Sequence, residues 1–188
     1  MSESKEYVVR ELSPELLDDY LRFFDKDAFA DNPKWASCYC YFPHAPHETE
    51  NWHDRTLEQN RTAVSRLIER GEMHGYLAFQ DGKAVAWCNA APRLRVTIVD
   101  EEADAARVGS INCFVVAKAH RGQGVATRLL SAACAGFKQQ GFEFAEAYPR
   151  KDAQDEASQH FGPLQMFLAA GFQPFRETDT NLVLRKKL

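Results

Sequence analysis

The stretch with the plainest chemical meaning is Arg121-Gly122-Gln123-Gly124-Val125-Ala126-Thr127, which follows the apolar run Ile111 to Ala117. The pattern is that of a buried strand delivering the chain into a glycine-rich turn that becomes the first turn of a helix. Amides at a helix start have no intrahelical partner, and the helix dipole puts partial positive charge there. Gly122 and Gly124 keep side chains out of the way of an approaching anion. Ala126 keeps a third position small, and Thr127 adds a hydroxyl. Such a turn suits a pyrophosphate. A P-loop needs Lys-Ser or Lys-Thr after the second glycine, and Val125-Ala126 rules that out. A dinucleotide fingerprint needs a third glycine where Thr127 stands, although Glu143 or Glu146 sits at the distance of its acidic partner.

A second segment, Asp27 to His53, is dense in aromatic, cysteine and histidine residues and has no clear period. Cys38 and Cys40 with His44, His47 and His53 raise the question of zinc. A single intervening residue is shorter than the usual two-to-four spacer and no second cysteine pair follows, so no metal is expected. The five cysteines, Cys38, Cys40, Cys88, Cys113 and Cys134, make no disulfide framework and read as reduced, mostly packing residues.

The elements that must position these groups can be read from period and punctuation. Tyr7 to Glu11 reads as a strand. Ser13-Pro14 reads as the start of a helix reaching Asp25. A second helix, capped by Asn51 or Asp54, carries Leu57, Val64, Leu67 and Ile68 and stops at Gly71. Met73 to Gln80 and Lys83 to Ala91, joined by Asp81-Gly82, form a hairpin with a type I′ turn. Arg93 to Ala106 is charged and without a clear period. Then come a strand Gly109 to Ala117, a helix Gly122 to Gln140, a strand Glu143 to Tyr148, a helix Pro163 to Ala170, and a closing hairpin Phe172 to Lys187. No repeat or linker interrupts them, so residues 1–188 are expected to form a single mixed α/β domain.

Composition narrows the partners. At 188 residues, with 45% hydrophobic residues, 27% charged residues and a net charge of −4, the chain reads as an ordinary globular protein. Nothing in it calls for nucleic acid. No run is long enough to span a bilayer and the N-terminus lacks a signal-peptide core, so the expected location is cytoplasmic.

The glycine turn resembles the signature of the GNAT acyl-CoA N-acyltransferases: Arg or Gln, two residues, Gly, any residue, then Gly or Ala, here Arg121-x-x-Gly124-x-Ala126. Gly171-Phe172 after a short helix resembles the family's closing Gly-Phe element, and Tyr76 to Lys187 can be threaded through the family plan. The resemblance implies a mixed, mostly antiparallel twisted sheet, splayed at its two central strands and flanked by helices. It implies that acetyl-CoA or a related acyl-CoA is the cosubstrate and a primary amine of a small molecule or peptide the acceptor. Backbone groups of Phe114, Val115 and Val116 would pair with pantetheine, an amide near Val115 or Val116 would hold the oxyanion, and Arg121, Gly122, Gln123, Gly124, Val125, Ala126 and Thr127 would hold the pyrophosphate. No metal is implied. Edge strands of such sheets can pair two copies, so a homodimer is compatible with the plan.

One position departs from the family. Many members carry a tyrosine acid four residues before the glycine of the Gly-Phe element, and here that residue is Phe167. Tyr148 and His160 are the substitutes to consider, beside unassisted departure of a thiolate. Glu146 is the candidate base, because the face Phe142-Phe144-Glu146-Tyr148 is otherwise aromatic; a solvated strand end is its plainer explanation. Trp35, Tyr39, His44 and Trp52 either line an acceptor site or simply pack. Arg150, Lys151 and Ser158 could reach CoA phosphates. A scaffold that binds acyl-CoA without turnover, as a sensor or assembly subunit, is the alternative that Phe167 favours.

Overall fold

The computed structural model describes residues 6–98, 103–151 and 158–188. A seven-stranded sheet in the order β1-β2-β3-β4-β5-β7-β6 forms its centre. The strands are β1 (Val8–Glu11), β2 (Gly75–Gln80), β3 (Lys83–Pro92), β4 (Val108–Val116), β5 (Phe144–Ala147), β6 (Gln173–Glu177) and β7 (Leu182–Lys187). All neighbours run antiparallel except β4 and β5, which are parallel. The helices are α1 (Leu17–Lys26), α2 (Leu57–Glu69), α3 (Val125–Gln139) and α4 (Leu164–Ala169).

Both faces of the central strands are buried, and the period of two sorts their side chains. Leu77, Phe79, Trp87, Cys113 and Val115 point into a core with Tyr20, Phe23 and Phe24 of α1 and Val64 and Ile68 of α2. Tyr76, Ala78, Cys88 and Phe114 point the other way, onto Leu129, Leu130 and Phe137 of α3 and Phe167 of α4. Gly109 lets α3 sit close to the sheet, since a Cβ there would lie 2.4 Å from the Phe137 ring.

Local signals set most boundaries. Asp81 (φ 51°) and Gly82 (φ 74°) both take left-handed backbone, as the β2–β3 turn requires. The second helix is capped differently from expectation. Thr56 and Gln59 form a reciprocal capping box, while Asn51 caps only the short 3-10 turn Trp52–Asp54. Ser13 makes no side-chain cap, and Pro14–Leu16 is a 3-10 turn ahead of α1. The third helix begins at Val125 rather than Gly122, because Gly122 (φ 69°) and Gly124 (φ 76°) are left-handed and belong to the turn. Among the described residues no helix is long and apolar enough to cross a membrane.

β4 and β5 pair only from Val108/Phe144 to Ile111/Ala147. Beyond that point β4 continues from Asn112 to Val116 beside β3, with no β5 partner. The sheet therefore parts at its centre, and the glycine turn follows the stretch without a β5 partner after one 3-10 turn, Lys118–His120.

Candidate functional site

A cleft of about 960 Å³ opens along this parting. One wall is β4 from Asn112 to Val116, and one end is the turn Arg121–Gly122 with Gly124–Thr127. The segment 28–52 contributes Trp35, Phe42 and Trp52 to the lining, and His160 and Phe161 also border the cleft. Of the residues expected to bind the cofactor, Phe114, Val115, Val116, Arg121, Gly122, Gly124, Val125, Ala126 and Thr127 all line this cleft. Gln123 does not: its side chain accepts from Tyr7 OH at 2.9 Å and donates to Ala119 O at 2.7 Å, which fixes the turn from behind.

The amides of Gly122 to Ala126 meet no protein acceptor among the described residues; the first bond back into the turn is Arg128 N to Gly124 O at 3.1 Å. A Cβ on Gly122 or Gly124 would meet nothing within 4 Å, so both glycines stand against open space. Free amides at the start of a 15-residue helix, facing a cleft, have the geometry and partial positive charge that suit an anion.

The Arg121 side chain is engaged elsewhere. Its Nε donates to Val116 O at 3.0 Å, and its two terminal nitrogens reach the Asp31 carboxylate at 2.7 and 3.0 Å. The hydrogen bonds from Arg121 hold the Asp31 carboxyl below the usual carboxylate range. The fork ties the 28–35 wall to the turn.

Glu146 is neither at an exposed strand end nor among the described residues lining the cleft. It is fully buried, and Arg93 Nη1 reaches its Oε2 at 2.6 Å. Arg185 Nε donates to Oε1 at 2.9 Å, and Tyr148 OH donates to Oε2 at 3.1 Å. Tyr148 is also buried, and burial together with the Glu146 charge pushes its hydroxyl well above the ordinary tyrosine range. Its OH accepts from Arg93 at 2.9 Å and lies 3.0 Å from Ser110 Oγ.

From there a buried polar chain crosses the strands. Ser110 Oγ donates to Asn112 Oδ1 at 2.7 Å, Asn112 Nδ2 to Asn89 Oδ1 at 2.9 Å, and Asn89 Nδ2 to His44 Nε2 at 2.9 Å. His44 Nδ1 donates to Arg95 O at 3.1 Å, so its tautomer is set by its neighbours. Burial drives its pKa down to about 4. The register shift between Asn89 and Ala90 leaves Asn112, between Cys113 and Ile111, without a partner position in β3. Sequence reasoning missed Arg93, Arg185, Asn89, Asn112, Ser110 and Asp31. The available signal was the lone polar residue inside an apolar run: Asn89 in β3, and Ser110 and Asn112 in β4.

His160 lines the cleft, with its ring 4.7 Å from Trp35. Phe167 is fully buried between Phe114 and Phe172. Tyr39 is buried and its OH donates to Asp25 at 2.5 Å, so it packs rather than lines the cleft. It and Cys40 adopt left-handed backbone, at φ 45° and 51°. Cys38, Cys40 and Cys113 border the cleft, but burial pushes the Cys38 thiol up to about 12, and a hydrogen bond with Cys40 plus burial raises Cys113. Cys38 and Cys113 are therefore poor nucleophiles. The histidines of the segment point apart, His47 to Phe42 O at 2.7 Å and His44 to Arg95 O. Lys151 pairs with Glu177 at 2.7 Å and Arg150 bridges to Asn181, while the Ser158 side chain lies outside what is described.

Residues 15–161 match the sequence model of the acetyltransferase (GNAT) family. Among curated proteins none matches. Solved structures of similar fold include PaiA N-acetyltransferase from Thermoplasma acidophilum in complex with coenzyme A, at 14% identity and TM-score 0.60 over 97% of this chain and 99% of that one. A GNAT-family acetyltransferase from Listeria monocytogenes 4b F2365 aligns at 17% identity and TM-score 0.63 over 100% and 98% of the two chains. The GNAT domain of S. lividans PAT aligns at 19% identity and TM-score 0.60 over 100% and 99%. At these identities the likeness is one of fold.

Proposed function

The chain belongs to the GNAT acetyltransferase family, and we propose that it transfers an acetyl or related acyl group from acyl-CoA to a primary amine. The observation that carries this reading is the set of unpartnered amides from Gly122 to Ala126, opening on a cleft beside the unpaired stretch of β4.

The CoA pyrophosphate would sit on those amides, with Thr127 Oγ in reach. Pantetheine would run along Phe114, Val115 and Val116, and an amide near Val115 or Val116 would receive the oxyanion. A neutral amine nitrogen attacks the thioester carbon and a tetrahedral intermediate forms. The C–S bond then breaks, the amide nitrogen loses a proton, and the thiolate gains one. The free amides place no demand on a metal for the diphosphate.

Proton handling has few candidates. Tyr148 already donates to Glu146, and neither lines the cleft, so the geometry favours a positioning role for both: they anchor β5 to β3 and β7 at the point where the sheet parts. His160 lines the cleft and is the better placed substitute for the acid that Phe167 lacks. The fully buried Phe167 also sustains a second reading, an acyl-CoA-binding scaffold without turnover.

Calorimetry and a thiol-release assay test both. Gly124→Glu puts a carboxylate where the diphosphate would lie and should abolish acetyl-CoA binding while the circular dichroism spectrum is kept. Unchanged affinity would overturn the assignment of the turn. Binding without thiol release across a broad amine panel would favour the scaffold.

A further inference from the structure

We propose that the acceptor is a primary amine carried on an aromatic group, an arylalkylamine, held between two ring pairs of the cleft; this rests on the acyl-transfer reading above. Trp35 with His160 and Phe42 with Trp52 border the same cleft as the glycine turn. The rings of the first pair are 4.7 Å apart at 66°, and those of the second 5.0 Å apart at 85°. In an edge-to-face pair the ring that presents its edge keeps both its faces clear of its partner. Trp35 and Trp52 are only half-buried, and Phe42 is 36% exposed. These rings differ from the aromatic core of α1, where Tyr20, Phe23 and Phe24 are closed off from solvent. Partly uncovered rings in a concave site are surface that a flat apolar ligand can cover, by offset or edge-on stacking.

Charge points the same way. Among the described residues lining the cleft, Asp31 is the sole carboxylate, and both its oxygens are held by Arg121. Lys34 adds positive charge to the same wall. A polyamine or aminoglycoside entering here would leave its hydration for a wall that offers aromatic faces and a compensated carboxylate. A single amine on an aromatic body would bury the body against the rings and present one nitrogen to the thioester.

The test is a thiol-release assay with acetyl-CoA on the full chain, using 2-phenylethylamine and tryptamine against spermidine and kanamycin, with CoA binding followed by calorimetry. The expected result is a kcat/KM at least about tenfold higher for the arylalkylamines, the range a well-filled apolar pocket provides. Trp52→Leu should raise the KM for 2-phenylethylamine by about tenfold and leave CoA affinity within about twofold. If that variant does not fold, the wild-type panel still decides, and Trp52→Phe with a smaller KM rise replaces it. A preference for spermidine or kanamycin would overturn the proposal and leave acyl transfer standing. Loss of measurable CoA binding by the wild type would sink both. CoA binding with no amine turned over would overturn the proposal and leave the non-catalytic scaffold.

Discussion

Arg93 Nη1 lies 2.6 Å from Glu146 Oε2, and the two side chains are 2% and 0% exposed. The pair joins the end of β3 to β5 across β4, and Arg185 of β7 closes on the same carboxylate. Removing one partner from a buried ion pair leaves an uncompensated charge, at a cost of about 3–5 kcal/mol. Glu146→Ala should therefore lower the denaturant midpoint by an amount equivalent to about 3–5 kcal/mol. If Glu146 were instead a base with no anchoring role, the variant would unfold with wild-type stability while kcat collapsed. Equilibrium unfolding beside steady-state kinetics separates the two.

His44 gives the protein an acid-sensitive contact. Its pKa falls to about 4 in the folded state from an ordinary 6.5, because burial penalises the charged ring. The unfolded chain therefore binds the proton first as pH drops, and stability is lost progressively from about pH 6.5 toward pH 4. Between about pH 7.5 and about pH 5 this one group should remove about 2 kcal/mol. His44→Gln should flatten that part of the profile by the same amount. Denaturant midpoints of the two proteins at both pH values check it; parallel profiles would show that His44 charges freely in the folded state.

How much of this was legible in the sequence depended on range. The Asp81-Gly82 turn, the apolar β4 run and the Gly122–Gly124 turn are local patterns, and each formed where it was expected. The Thr56–Gln59 capping box is also local, but Asn51 and Asp54 are stronger cap formers by type and masked it. Glu146 sits on an aromatic strand face whichever role it has, and only the fold brings Arg93 and Arg185 to it. Asp31 and Arg121 are likewise far apart in the chain, so no spacing announces their fork. The left-handed Tyr39 and Cys40 carry no local sign, since neither residue type prefers that backbone.

The Asp31–Arg121 fork competes with any anion on the turn. Its two hydrogen bonds keep the guanidinium's charge compensated by Asp31. Asp31→Asn should remove that compensation and tighten CoA binding by about two- to tenfold at low salt, the range expected of one partly exposed pair. Screening should shrink the gain between about 0.02 M and about 0.5 M salt. Calorimetry at both salt concentrations reads it. Weaker binding in the variant would mean that the fork shapes the turn more than it competes with the ligand.

Phe167 stands where the sequence resemblance leads one to expect a tyrosine, and the surroundings say why substituting one should fail. The ring is fully buried, 6.1 Å from the Phe114 ring and 5.4 Å from that of Phe172. Its outer edge fits tightly against Gly162, where even a Cβ would come within 2.8 Å. Phe167→Tyr would push a hydroxyl toward that glycine, which has no side chain to receive its proton. An unsatisfied buried hydroxyl costs about 1–3 kcal/mol. The variant should be less stable by about that amount and should show no rise in kcat. A gain in kcat with stability unchanged would mean that the hydroxyl reaches the cleft past Gly162, and that this position supplies an acid as soon as the residue type allows it. His160 would then lose its claim to the role, which His160→Ala in the Phe167→Tyr background would confirm by leaving kcat high.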